Sequence, residues 1–154
     1  CKRNIFFDND LYFKKGILHE DEEWLPRVIL GTDKVITTGI NFYKYIIREN
    51  SITQNENKKR NAIDLLNTCY SLEKIYNSII DIELKQLLNE YLLKMYLSAF
   101  YIGKMYDSNS KEYLNDDFLV GKAQSMKCRL QVVIYKLNKY LFYLIYHLFC
   151  KCQL

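Results

Sequence analysis

Four consecutive carboxylates, Glu20 to Glu23, stand between His19 and an apolar run that starts at Trp24. A carboxylate held beside a substrate hydroxyl can accept its proton as a new bond forms, which is general base catalysis. The same acids also have a structural explanation, because carboxylates stabilise the positive end of a helix dipole. Two interpretations therefore stay open for this stretch, a catalytic base or a charged helix start.

A second candidate group follows in the segment YIIRENSI, residues 45–52. It contains Arg48 and Ser51, and the guanidinium of arginine is suited to a bidentate contact with phosphate. The alternative interpretation of Arg48 is a surface residue at the end of a strand.

Together, FKKGILHEDEEW (residues 13–24) and YIIRENSI resemble the acceptor-side half of the family-2 glycosyltransferases. These are inverting enzymes of the GT-A fold that act in the assembly of surface polysaccharides and glycans. Their pattern runs aromatic, basic, glycine, two apolar residues and His-Glu-Asp, and a Tyr-Arg-x-Arg-Glu-Gly-Ser-Ile segment follows. The resemblance covers residues 5–53, and the ordered pair of motifs is more specific than either motif alone.

The resemblance implies that Asp21 is the general base that deprotonates the acceptor hydroxyl. It also implies that His19, Glu20 and Trp24 orient the acceptor or the sugar. The alternative for all four residues is a capped, solvated helix start with a buried tryptophan.

By the same resemblance, Arg48 and Ser51 would contact the diphosphate of a nucleotide-sugar donor. The chain departs from the family pattern at two positions of this segment, Ile46 in place of arginine and Asn50 in place of glycine. One of the two positive contacts is therefore absent.

The resemblance further implies a glycan or lipid-linked acceptor and a divalent metal, manganese or magnesium. The metal ligands, an Asp-x-Asp motif, are expected upstream of Cys1, in a longer protein of which this chain is a piece. Asp8–Asp10 has the letters of that motif, but it lies too close to the acceptor motif and is interpreted as a turn. We expect no metal site in these residues and no activity from this chain alone.

The elements that would position these residues lie in an α/β front section, residues 1–55, predicted to be part of a GT-A glycosyltransferase domain. A helix is expected to begin near residues 22–24, since Pro26 is tolerated only in or just past a first turn. The β-branched and aromatic residues of 34–39 and 41–49 predict two strands joined by a turn at Gly39.

Residues 56–154 are predicted to form a mainly α-helical extension, so that helices dominate the whole chain. Apolar residues recur there at spacings of four and three, as on one face of a helix. The three sets are Leu65, Cys69, Leu72, Tyr76 and Ile79; Leu84, Leu88, Tyr91, Met95, Ala99 and Ile102; and Leu130, Ile134, Leu137, Leu141, Leu144 and Leu148. The first two sets, joined near Asp81, predict an antiparallel helix pair.

The tail, residues 118–154, is basic and aromatic. Six Lys and Arg follow Asp117 and no acid does, and residues 140–150 are apolar except for His147. Eleven such residues are too few to span a bilayer, which takes about 20. Two interpretations stay open, a helix in the lipid headgroup region or a core helix that packs on the two before it.

Composition limits the remaining choices. With 49% hydrophobic and 26% charged residues the chain is globular in type, and a net charge of +4 is too modest to indicate nucleic-acid binding. Five cysteines without CxxC spacing predict neither a disulfide framework nor a zinc site, which favours a cytoplasmic location, including the inner face of the cytoplasmic membrane. The alternative function is a non-catalytic helical module that docks on membranes or partner helices.

Overall fold

The computed structural model describes residues 3–41, 43, 44, 46 and 58–151. The chain divides into two units, Cys1–Asn57 and Lys58–Leu154. The first is called the front unit below and the second the helical unit. None of the helices in the described ranges is both long enough and apolar enough to cross a membrane.

The front unit contains two α-helices among its described residues, α1 (Asn4–Asp8) and α2 (Glu20–Leu30). The helix α2 begins at Glu20, two residues before the predicted start, and Pro26 lies in its second turn. All four acids therefore occupy the first turn, where their charge favours the helix. This stabilisation explains why the helix extends further towards the amino terminus than Pro26 alone suggests.

The predicted α/β character of the front unit is wrong, because no strand occurs among the residues that the structure describes. Residues 34–41 have no regular structure and are exposed, Ile36 by 87%. A β-branched sequence forms a strand only against neighbours that pair its backbone and cover its side chains, and residues 34–41 have no such neighbours among the described residues. Most of the second predicted strand, residues 41–49, lies outside the described residues.

The helical unit is built around the antiparallel pair α3 (Lys58–Asn77) and α4 (Ile82–Ile102). The side chain of Asp81 caps α4 by accepting a hydrogen bond from the backbone N–H of Leu84 at 3.0 Å. The thiol of Cys69, in the middle of α3, donates to the carbonyl of Leu92 on α4 at 3.8 Å. The predicted pair and its turn near Asp81 are therefore present.

Two 3-10 helices, Ser108–Tyr113 and Asp116–Leu119, connect this pair to α5 (Met126–Leu137) and α6 (Lys139–Lys151). Asp116 joins the last two helices, because it accepts hydrogen bonds from Tyr135 on α5 at 3.2 Å and from Lys139 on α6 at 2.6 Å. A cluster of buried aromatic side chains lies between these elements, namely Tyr96, Phe100, Phe118, Tyr135 and Phe142.

The third predicted set, residues 130–148, does not lie on one helix. Asn138 is extended and interrupts it, and its side chain accepts from the N–H of Leu141 at 2.9 Å to cap α6. The leucines of this set are exposed, whereas Cys128, Tyr135 and Phe142 face the core. The spacing identified an apolar stripe but did not indicate which side of the helices faces the core, and aromatic residues outside the set fill the interior.

Candidate functional site

The His-Glu-Asp group lies where a loop, residues 11–19, enters α2. Trp24 anchors this junction, because its Nε1 donates a hydrogen bond to the carbonyl oxygen of Leu11 at 2.9 Å. The indole also stacks against Phe13 with a centroid distance of 4.4 Å and against Phe6 with one of 5.7 Å. The half-buried tryptophan thereby joins α1, the loop and α2 into one small aromatic cluster.

A second anchor comes from an ion pair one turn further along α2. Arg27 contacts the carboxylate of Glu23 at 2.8 Å, and the same guanidinium donates to the carbonyl oxygen of Tyr12 at 2.7 Å. Glu23 is only 6% exposed, so this acid serves the scaffold and is not available to a substrate. The loop is thus tied to α2 at two successive residues, Leu11 and Tyr12.

The backbone of the loop has two left-handed residues, Gly16 with φ +82° and His19 with φ +60°. Glycine adopts this conformation at no steric cost, but for a histidine it is uncommon. His19 occupies the position before the first helical residue and makes no side-chain cap to the helix. The left-handed backbone at His19 turns the chain sharply immediately before the acids.

Glu20 and Asp21 are the first two residues of α2, and both are exposed. Within the part of the chain that the structure describes, the carboxylate of Asp21 forms no hydrogen bond or ion pair. The carboxylates therefore lie at the accessible end of the helix, where a hydroxyl group could approach. Two cavities of about 290 and 240 Å³ are lined by residues of the helical unit, and Asp21 lines neither of them.

The structure brings together His19, Glu20, Asp21 and Trp24, four of the six residues that the resemblance selects. The remaining two, Arg48 and Ser51, lie outside the described residues. Stacking against Phe6 and Phe13 gives Trp24 a structural role, and its contact with a sugar stays a prediction.

Sequence reasoning missed Arg27 and Glu23 as the support of this site. Their spacing of four residues on a predicted helix was the available signal, since such pairs meet on one helix face. The bonds from Trp24 to Leu11 and from Arg27 to Tyr12 had no sequence signal, because they depend on the path of the loop.

In the described ranges, no three His, Cys, Asp or Glu side chains lie together so that they could hold a metal ion. The resemblance places the ligands of the divalent metal upstream of Cys1, so the metal stays a prediction, and no step below involves one.

Comparison with models of protein families, with curated proteins and with solved structures found no match to this chain. The interpretation of its function therefore depends on residues 13–24 and 45–52 and on the geometry at the start of α2.

Proposed function

We propose that this chain is the acceptor-side part of an inverting, nucleotide-sugar-dependent glycosyltransferase, with Asp21 as the general base. The observation that carries the proposal is the position of Asp21 in the first turn of α2. Its carboxylate is exposed beside His19 and Glu20, on a junction that Trp24 and Arg27 hold in place.

The reaction is a displacement at the anomeric carbon of the donor sugar. The acceptor oxygen forms a bond to that carbon while the bond to the diphosphate oxygen breaks, so the configuration inverts. The hydroxyl proton passes to the carboxylate of Asp21, and the nucleoside diphosphate leaves with the electron pair. A positioned base of this kind typically accelerates the reaction about a hundred- to ten-thousandfold.

The other residues of the junction have supporting roles in this proposal. His19 and Glu20 flank the base and orient the acceptor or the sugar. Trp24 positions the junction through its hydrogen bond to Leu11. Arg48 and Ser51 are proposed to contact the donor diphosphate.

The substitution Asp21→Asn in the full-length protein tests the proposal, because asparagine keeps the size of the side chain but cannot accept the proton. We expect kcat for sugar transfer to fall about a hundred- to ten-thousandfold, while the Kd for the nucleotide sugar stays unchanged. Transfer is measured with radiolabelled donors on a glycan panel, and donor binding by calorimetry.

The matched control is Asp33→Asn, which removes an exposed carboxylate from the same unit but outside the motif. It should leave kcat for sugar transfer and the Kd for the nucleotide sugar unchanged. Turnover by Asp21→Asn at the rate of the unmodified protein would overturn the proposal, as would an equal loss in the two variants.

A second candidate function is docking of the helical unit on a membrane or on partner helices. The exposed leucines of α5 and α6 favour it.

A further inference from the structure

The helix α5 exposes an apolar stripe on the side opposite its core contacts. At 3.6 residues per turn, its four members lie on one face, while Cys128 and Tyr135 lie on the other and are buried. Leu137 is 79% exposed and Leu130 61%. The members of this α5 stripe are Met126, Leu130, Val133 and Leu137.

Basic side chains border the α5 stripe on both sides. The helical repeat places Arg129 and Lys136 along one flank and Lys127 along the other, and all three are exposed. No acid follows Asp117 in the sequence, so neither α5 nor α6 carries a negative side chain. The apolar stripe with its basic borders is typical of helices that lie in a membrane interface.

Two acids that contact these helices or their start are already paired. Glu90 accepts hydrogen bonds from the N–H groups of Gln124 and Ser125 and contacts Lys94 at 2.9 Å. Asp116 is held by Tyr135 and Lys139. The positive charge beside the α5 stripe is therefore not neutralised by these two carboxylates.

The helix α6 also exposes an apolar stripe. Leu141, Leu144 and Leu148 are exposed at spacings of three and four, and Phe142 on the opposite side is buried. Tyr140 is exposed next to them, and tyrosine is enriched at membrane interfaces. With 12 residues in α5 and 13 in α6, both helices are shorter than the roughly 20 residues of a membrane span, so they would lie along the surface.

We propose that the exposed faces of α5 and α6 bind the headgroup region of a membrane that contains anionic lipids. Charge complementarity selects this partner over a second copy of the chain. A symmetric contact of two α5 stripes would place Lys127, Arg129 and Lys136 against the same residues of the other copy, with no acid on these helices to compensate. Anionic headgroups supply the missing negative charge, and acyl chains cover the leucines.

Flotation of the full chain with lipid vesicles tests this proposal. We expect binding to vesicles that contain phosphatidylglycerol, weaker binding to phosphatidylcholine alone, and loss of binding as salt is added. The double substitution Leu130→Ser and Leu137→Ser should weaken binding to anionic vesicles about tenfold or more, because both side chains are exposed and apolar. Replacing Arg129 or Lys136 by Gln should weaken it about fivefold for each base removed.

The matched control is Leu84→Ser with Leu87→Ser, which removes two exposed leucines from α4. It should bind vesicles like the unmodified chain, and circular dichroism should show the same helix content in both double variants. Absence of flotation with anionic vesicles would overturn the proposal, as would equal binding to neutral ones. A stable dimer in light scattering that disappears with Leu130→Ser and Leu137→Ser would also overturn it in favour of self-association.

Discussion

Tyr76 and Tyr96 are both fully buried in the helical unit, but only one of their hydroxyl groups is satisfied. The hydroxyl of Tyr96 donates to the carbonyl of Asn115 at 3.2 Å and accepts from its N–H at 3.0 Å. The hydroxyl of Tyr76 finds no partner among the residues that are described. Burial raises the pKa of Tyr76 to about 12, and it raises the pKa of Tyr96 as well.

We therefore expect opposite effects when each hydroxyl is removed. Tyr96→Phe leaves both backbone groups of Asn115 without this partner and should lower the free energy of unfolding by about 1–2 kcal/mol. Tyr76→Phe removes a buried polar group that lacks a partner and should leave stability unchanged or raise it by up to about 1 kcal/mol. Urea unfolding followed by circular dichroism measures the free energy of unfolding of both variants. A larger loss of stability for Tyr76→Phe than for Tyr96→Phe would contradict the assigned hydrogen bonds.

At the same scale, part of the candidate site could be located from the sequence. His19, Glu20 and Asp21 are neighbours in the chain, so their grouping at a helix start needs no knowledge of the fold. The bond from Trp24 to Leu11 joins residues 13 positions apart through a loop whose path depends on left-handed residues. Local patterns do not determine such a path.

At the scale of elements, the backbone at Gly103, directly after the end of α4, lies close to α3. A Cβ atom built there would lie 2.5 Å from the Cβ of Ala62 on α3 and 2.9 Å from Cγ of Met105. The backbone at Gly103 has φ −79°, which any residue can adopt. A larger side chain is therefore excluded by the lack of space and not by the backbone conformation.

Gly103→Ala should therefore destabilise the helical unit by about 1–3 kcal/mol, because the two helices must move apart. Gly39→Ala is the control, since nothing lies within 4 Å of a Cβ at that position. Thermal unfolding followed by circular dichroism distinguishes the two. Equal melting temperatures for both variants would show that α3 and α4 are not in close contact at Gly103.

Glu90 connects α4 to the start of α5 and makes the helical unit sensitive to acid. Its hydrogen bond from Lys94 and the bonds from the backbone of Ser125 and Gln124 lower the pKa of the Glu90 carboxyl from 4.5 to about 2. A carboxyl whose pKa is lower in the folded state contributes stability above its unfolded pKa. That contribution is lost as the pH falls from about 4.5 towards 2.

Glu90→Gln should consequently lower the free energy of unfolding at neutral pH by about 2 kcal/mol, and the difference from the unmodified chain should shrink as the pH approaches 2. Glu83→Gln on the same helix removes an exposed carboxylate and should cost about 0.5 kcal/mol. Urea titrations at a series of pH values measure both. A difference for Glu90→Gln that is independent of pH would contradict the assigned pKa.

Helix spacing predicted the buried face of α3 well, because Leu65, Cys69 and Leu72 are all buried. It predicted the existence of α4 but only part of its buried face, since Met95 and Ala99 are buried whereas Leu84 and Tyr91 are exposed. It failed for the tail, since the spacing of Leu130, Leu137 and Leu144 indicates a stripe without saying which side faces the core. The strands predicted within 34–49 failed for residues 34–41 because strand formation needs a partner, and composition carries no information about one.

For the whole molecule, the sequence predicted the dominance of helices after residue 56 and the amphipathic character of the tail. The α/β front section was wrong, since only helices and irregular segments occur in its described residues. Its assignment to a glycosyltransferase stays a prediction that depends on residues 13–24 and 45–52.

The chain has one tryptophan, and it lies on α2 in the front unit, where its ring packs against the loop and α1. Indole fluorescence therefore reports on the front unit alone, whereas the far-ultraviolet helix signal comes mainly from the Lys58–Leu154 unit. When both signals are recorded in one denaturant titration, they give a separate unfolding curve for the front unit and for the helical unit. A single unlabelled sample then reveals whether the halves lose their structure together or one after the other.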